Sequence, residues 1–272
     1  MIVSDKKIAD ILAQIVERRI DFMADARGKE TYTELPRRAD FQTPDNNPFL
    51  AGIAARRGRA VIAEVKMGSP SLGSLAGTFD PIEQARSYAR AGAAALSVVV
   101  EADFFHGSYD LLEECVEASG LPAVAKDFVV DPLQLRWARR AGARAVLLIA
   151  ALYPQEELLE YARIARRLGL VPLVETHDAE DVAKLDGSEW ELVGVNNRDL
   201  RTFRVDLEAS KSLVPSLPAK ALKVAESGIH SPEDLAGLSK GGFDAFLIGE
   251  ALVKSGAPEA KLAELLSLVP EA

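Results

Sequence analysis

The chain of 272 residues is poor in the features that mark several protein classes. It has one cysteine, Cys115, so it can form no internal disulfide and suits a reducing compartment. It has three histidines, His106, His177 and His230, without metal-ligand spacing; Glu175-x-His177 is too little for a site. Long apolar runs are missing. The stretches Ala91–Val100 and Ala145–Gln155 are bounded by charge and too short to span a bilayer. Met1 to Arg19 mixes Asp5, Lys6, Lys7, Asp10, Glu17 and Arg18 with apolar residues, unlike a signal peptide. No strand is followed by a Walker A loop or by Gly-x-Gly-x-x-Gly, which weakens nucleotide readings. Basic residues are outnumbered 41 to 32, a net charge of −9, which argues against a nucleic-acid partner but allows a local pocket for a small anion. The expectation is a cytoplasmic protein with no membrane partner.

What the sequence has is apolar residues, 48% of the total, enough for a large core. Ile8, Ile11, Leu12, Ile15 and Val16 recur at the spacing of one helix face. Residues 28–48 carry Pro36, Pro44 and Pro48 with Asp45, Asn46 and Asn47, and read as an irregular connection. Residues 1–59 are therefore expected to form a helical extension packed on a larger body, residues 60–272, within one structural domain.

From residue 60 onward, short β-rich apolar runs alternate with helical patterns. Eight strands are predicted: Ala60–Lys66, Ala94–Glu101, Ala123–Asp127, Ala145–Ala151, Val171–Thr176, Leu192–Asn196, Leu222–Glu226 and Ala245–Gly249. Helices are predicted between them, including Pro81–Ala91, Leu111–Ala118, Pro132–Ala141, Gln155–Leu168 and Pro232–Leu238, the last capped by Ser231. Arg86-x-x-x-Arg90-Ala91-Gly92-Ala93 recurs as Arg136-x-x-x-Arg140-Ala141-Gly142-Ala143, each a helix end feeding an apolar strand. Eight such units suggest an α/β fold, a single (β/α)8 TIM barrel with an N-terminal helical extension. An open doubly wound sheet is the competitor, because both have continuously apolar strands.

In a barrel the active site lies at the C-terminal ends of the strands. Those ends are polar here: Glu64-Val65-Lys66, Lys126-Asp127, Glu175-Thr176-His177, Asn196-Asn197-Arg198-Asp199 and Glu226-Ser227-Gly228. Strand alternation puts Glu64 and Lys66 on one side, where they form either a structural ion pair or groups for a charged ligand. Ser227-Gly228 and Gly249-Glu250 follow the last two strands, where barrels often bind phosphate. Phe104-Phe105 either line an apolar slot or pack a loop. Cys115 follows Glu113 and Glu114, which disfavour a thiolate, and is expected to pack. Trp137 and Trp190 read as core or surface cover.

The strand ends together resemble the indole-3-glycerol phosphate synthases of tryptophan biosynthesis. The resembling blocks are Val61–Lys66 with Ser69-Pro70-Ser71, Phe105-His106-Gly107-Ser108-Tyr109, Lys126-Asp127-Phe128, Pro172-Leu173-Val174-Glu175, Gly194–Leu200, Val224–Ile229 and Leu247-Ile248-Gly249. The resemblance implies ring closure of 1-(2-carboxyphenylamino)-1-deoxyribulose 5-phosphate, with loss of carbon dioxide and water, and no metal or organic cofactor. It implies that Lys126 is the general acid and Glu175 the partner acid/base of dehydration. Lys66 steers the substrate carboxylate, Glu64 orients Lys66, and Asn196 and Ser227 hold polar groups. Ser69, Phe105, Phe128, Arg198, Leu200 and Glu226 bind substrate, with Phe105, Phe128 and Leu200 around the aromatic ring. Ser227, Gly228, Gly249 and Glu250 hold phosphate. The partner is a small-molecule phosphosugar, and the protein is expected to be a monomer, with a weak homodimer as the alternative. Met67-Gly68, His106 (an asparagine in the family pattern) and Glu250 depart from that pattern. Two other readings are a related phosphate-binding barrel isomerase, such as phosphoribosylanthranilate isomerase, and a non-catalytic phosphosugar-binding barrel.

Overall fold

The computed structural model describes residues 10–29, 46–70, 73–199 and 204–269. Eight parallel strands close into a barrel, so the open-sheet alternative falls. They are β1 (Ala60–Val65), β2 (Ala95–Val99), β3 (Ala123–Lys126), β4 (Ala145–Ile149), β5 (Val171–Thr176), β6 (Leu192–Asn196), β7 (Leu222–Glu226) and β8 (Ala245–Ile248). Each pairs with its chain neighbours, and β8 closes on β1 through the register Ala60–Ala245 to Ala63–Ile248. The strands are Ala-, Val-, Ile- and Leu-rich because both faces are covered, one by the barrel interior and one by helices. Several predicted strands lose a residue or two at their ends. Ala150–Leu152, for example, turns into a 3₁₀ helix.

The helices are α1 (Asp10–Lys29), α2 (Pro48–Ala54), α3 (Pro81–Arg90), α4 (Tyr109–Ser119), α5 (Pro132–Arg140), α6 (Gln155–Arg167), α7 (Ala179–Ala183), α8 (Leu207–Leu213), α9 (Pro232–Lys240), α10 (Glu250–Ser255) and α11 (Pro258–Leu266). Local chemistry starts them. Asp80, Ser108, Asp131, Asp178 and Ser231 accept hydrogen bonds from first-turn amides, and Asp131/Gln134 and Ser231/Asp234 complete capping boxes. The repeated Arg-Ala-Gly-Ala segments end α3 and α5 with Gly92 at φ 81° and Gly142 at φ 87°, a left-handed backbone that glycine adopts without strain.

The extension reaches both rims. α2 closes the N-terminal mouth, where Asn47 Nδ2 donates to Arg144 O and Gly169 O, just before β4 and β5. Phe49 and Ile53 are fully buried there, each contributing roughly 1.5–3 kcal/mol of apolar burial. α1 buries Leu12, Ile15, Val16 and Met23. Its Arg19 forms a buried ion pair with Asp127, directly after β3, and Asp127 also accepts from Tyr109 Oη and Gln134 Nε2. Ile8 and residues 30–45 of the expected connection lie outside the described residues. Among the described residues, no helix is long and apolar enough to cross a membrane.

Trp137 packs edge-on between Phe22 of α1 and Tyr109, and Trp190 is buried with its indole N–H on Leu185 O. Both are structural. Cys115 is buried, and its thiol is pushed up to about 12, first by burial and only then by Glu114. The inertness expected from sequence holds, but loss of water is its main cause.

Candidate active site

A cavity of about 560 Å³ opens at the C-terminal rim. Glu64, Lys66, Ser69, Phe105, Lys126, Phe128, Glu175, Asn196, Arg198, Ser227, Gly228, Gly249 and Glu250 all line it. These are residues that sequence reasoning singled out, drawn from the ends of seven strands and the loops that follow them. Two expected residues are not among them. Glu226 is fully buried under the cavity floor, and Leu200 lies outside the described residues.

The β1 and β3 ends form one charged unit. Glu64 Oε1 is 3.1 Å from Lys66 Nζ, and its Oε2 accepts from Lys126 Nζ at 2.9 Å. Burial by itself would raise the Glu64 carboxyl; Lys126, then Lys66, outweighs burial and holds it down to about 2. Burial opposes the charge of Lys126, but Glu64 above all, with Glu226 and Glu175, keeps its pKa above the usual lysine value. Lys126 is therefore an ammonium at any physiological pH. Gly249 makes this packing possible, because a Cβ there would stand 2.4 Å from Glu64 Oε1.

The β5–β7 ends differ. Glu175 and Glu226 are both buried, and Glu226 reaches across β6 at Gly194, where a Cβ would lie 2.1 Å from its Oε1. Burial raises the Glu175 carboxyl, but His177 and then Lys126 bring it to about 2. Glu226 is pushed well above the carboxylate range, first by burial and then by the charge of Glu175. The two carboxyl groups lie side by side, so a neutral Glu226 beside an ionised Glu175 is the arrangement that avoids two buried like charges.

Phe105 and Phe128 pack directly on each other, ring centroids 5.9 Å apart and planes tilted by 38°, and form an apolar patch on the cavity wall. Glu101 builds the loop that presents Phe105, accepting from the amides of Asp103, Phe104 and Phe105. The next residue, His106, has φ 55°, a left-handed backbone that asparagine tolerates well, which accounts for the asparagine of the family pattern. Ser227 and Gly228 are consecutively left-handed at φ 67° and 75°, and Asn197 Nδ2 fixes the turn by donating to Ser227 O. Glu250, at the departure from the family pattern, accepts from Lys254 Nζ at 2.6 Å and lies 3.5 Å from Arg198.

Sequence reasoning missed two contributions. Ile11, Leu12 and Ile15 of α1 line the cavity, which the period of that helix could have suggested but no local motif marked. His177 and Asp181 stand behind Glu175; their signal was a histidine two residues after a strand-end carboxylate and an aspartate four residues further on.

Two ammonium groups and a ring of carboxylates converging on one rim, beside an aromatic patch, define a (β/α)8-barrel enzyme built for acid–base chemistry. The tryptophan synthase α-subunit of Pyrococcus furiosus superposes with a TM-score of 0.60 at 16% identity, covering 78% of this chain and 99% of that one, which supports the fold. The sequence profile of indole-3-glycerol phosphate synthase matches residues 12–265. An indole-3-glycerol phosphate synthase of Koribacter versatilis is 42% identical over 86% of this chain and 90% of its own. That of Bordetella pertussis is 41% identical over 95% and 99%. The chain belongs to the indole-3-glycerol phosphate synthase family.

Proposed function

We propose that this chain closes the indole ring of 1-(2-carboxyphenylamino)-1-deoxyribulose 5-phosphate, with Lys126 and Glu175 as its acid and base. One observation carries the assignment of roles: Lys126, held as an ammonium, and Glu175, held as a carboxylate, line the same cavity from different strands. The aromatic ring of the substrate lies against the apolar wall made by the Phe105–Phe128 pair, with Ile11, Leu12 and Ile15 shielding it from water. Ser227, Gly228, Gly249 and the Glu250 backbone hold the phosphate, the Glu250 carboxylate being occupied by Lys254 and Arg198. Ser69, Asn196 and Arg198 hold the carbon chain.

The steps balance. The ring carbon bearing the carboxylate attacks the ketone, and Lys126 gives its proton to the carbonyl oxygen, which becomes a hydroxyl. The carboxylate, steered by Lys66, leaves as carbon dioxide, and its bonding pair restores the aromatic ring. The new hydroxyl then leaves as water with a proton from a lysine ammonium, as Glu175 takes a proton from the methylene carbon next to nitrogen. The products are indole-3-glycerol phosphate, carbon dioxide and water, with one proton taken up overall. Glu64 orients both lysines, and Glu226 supports the β5–β7 end from below. This chemistry calls for no metal and no organic cofactor. In this reading the 1–59 extension and the barrel are one structural unit, and the protein is a cytoplasmic monomer.

Purified protein given this substrate without added metal is expected to produce an indole absorbance. Consumption of phosphoribosylanthranilate instead would favour the isomerase. Binding of the substrate without turnover would favour the non-catalytic barrel.

A further inference from the structure

His177 does not line the cavity, yet it joins a line of alternating charges that ends on Glu175. Its Nε2 is 3.2 Å from Glu175 Oε1, an ion-pair distance. Its Nδ1 is 3.4 Å from Asp181 Oδ2, and the same oxygen accepts from the His177 backbone amide at 3.1 Å. Asp181 Oδ1 takes Lys184 Nζ at 3.2 Å, and that ammonium also donates to Ala150 O at 2.8 Å. Asp178 caps α7 through the amides of Glu180 and Asp181, so the carboxylate behind the imidazole is held by backbone on the first turn of a helix. Glu226 lies beside Glu175 and within charge range of the His177 ring. Among the described residues, no three of these groups converge as metal ligands would.

We propose that His177 is a positioning residue, an imidazolium clamped between Glu175 and Asp181 that keeps the Glu175 carboxylate ionised and aimed at the substrate beside a protonated Glu226. Two buried carboxyls side by side do not both ionise; something must decide which keeps the proton. Lys126 favours the charge of Glu175 from β3, and the histidine adds a second cation beside it. Burial disfavours the charged ring, but Asp181 and Glu175 hold its pKa up at about 10. The charged groups facing the ring are therefore Glu175 on β5, Asp181 on α7 with Lys184 behind it, and Glu226 on β7.

The inference rests on the base role proposed for Glu175, and its test separates the two. In protein labelled with ¹⁵N-histidine, both ring nitrogens of His177 should stay protonated through pH 8. Asp181→Asn should move that titration down towards neutrality. A His177 ring that titrates at about 6.5, the ordinary histidine value, overturns the proposal whatever the enzyme's activity. In kinetics, His177→Gln and Asp181→Asn should each lower kcat at least about tenfold with KM little changed. The acid limb of the kcat–pH profile should move to higher pH, because Glu175 loses the cation that kept it ionised. Folded variants with the wild-type kcat or an unmoved acid limb would overturn it. Wild-type protein that forms no indole removes the base role of Glu175, and the ring titration still decides the clamp.

Discussion

Glu64 and Glu226 are both glutamates at strand ends of one barrel rim, and both are buried, at 5% and 0% exposure. Glu64 sits between two ammonium groups and stays ionised, its carboxyl held at about 2. Glu226 sits beside another carboxylate and is driven towards the neutral form. Burial disfavours charge in both places, and the neighbours decide the outcome. The β1/β3 side thus becomes the source of fixed positive charge and of the acid. The β5–β7 side holds a carboxylate and a carboxyl, and the carboxylate is the group free to accept a proton. The rim is divided by the identity of neighbours and not by depth.

The largest expected effect removes the acid. Lys126→Ala should lower kcat by about 10³-fold or more, with a thermal unfolding transition that stays cooperative. Glu64→Gln should break the ionised side alone. It leaves two partly buried ammonium groups without their shared partner and should cost about 2–3 kcal/mol in urea denaturation near neutral pH. That difference should depend on pH. The folded-state pKa of Glu64 lies below its unfolded value, so its contribution is complete above about pH 4.3, the ordinary glutamate value, and is lost as pH falls towards about 2. Stability curves of wild type and Glu64→Gln should therefore converge in acid.

Glu226→Gln should do the reverse and more gently. A raised folded-state pKa means that the native protein binds the extra proton, so wild-type stability declines as pH rises above about 4.3. The amide carries no such penalty, and the variant should match wild type near pH 5 and unfold at a higher temperature at pH 9. Infrared spectra should also lose a protonated-carboxyl band in Glu226→Gln and keep it in Glu64→Gln. The smallest effect concerns backbone strain. Ser227 holds φ 67°, so Ser227→Gly should raise stability slightly, by about 0.5–1 kcal/mol, as loss of the hydroxyl raises KM.

The barrel was legible because each βα unit repeats the same grammar, an apolar strand, a polar strand end and a capped helix. Ser231 and the two Arg-Ala-Gly-Ala segments were read correctly for that reason: caps and left-handed glycines depend on residues a few positions apart. Strand ends were overrun by a residue or two, as at Ala150–Leu152, because apolar composition continues after the ladder has stopped. The cavity residues stood out as charges at the ends of apolar runs. The depth of Glu226 did not, because it depends on the missing side chain of Gly194, a residue of the neighbouring strand. The contribution of α1 to the cavity wall was hidden for a related reason: Arg19 and Asp127 are 108 positions apart, and nothing in either local sequence points to the other. His177 was set aside with the other histidines for want of metal-ligand spacing, and its partner Asp181 becomes adjacent only after α7 has turned.

The central claim is that protonation by Lys126 accompanies ring closure and precedes loss of the carboxylate. Single-turnover reactions of Lys126→Ala with substrate labelled at the carboxyl carbon test it most directly, following released carbon dioxide and indole absorbance together. The account predicts that both are suppressed in parallel by about 10³-fold. Carbon dioxide released at the wild-type rate, or indole formed at that rate, would contradict it.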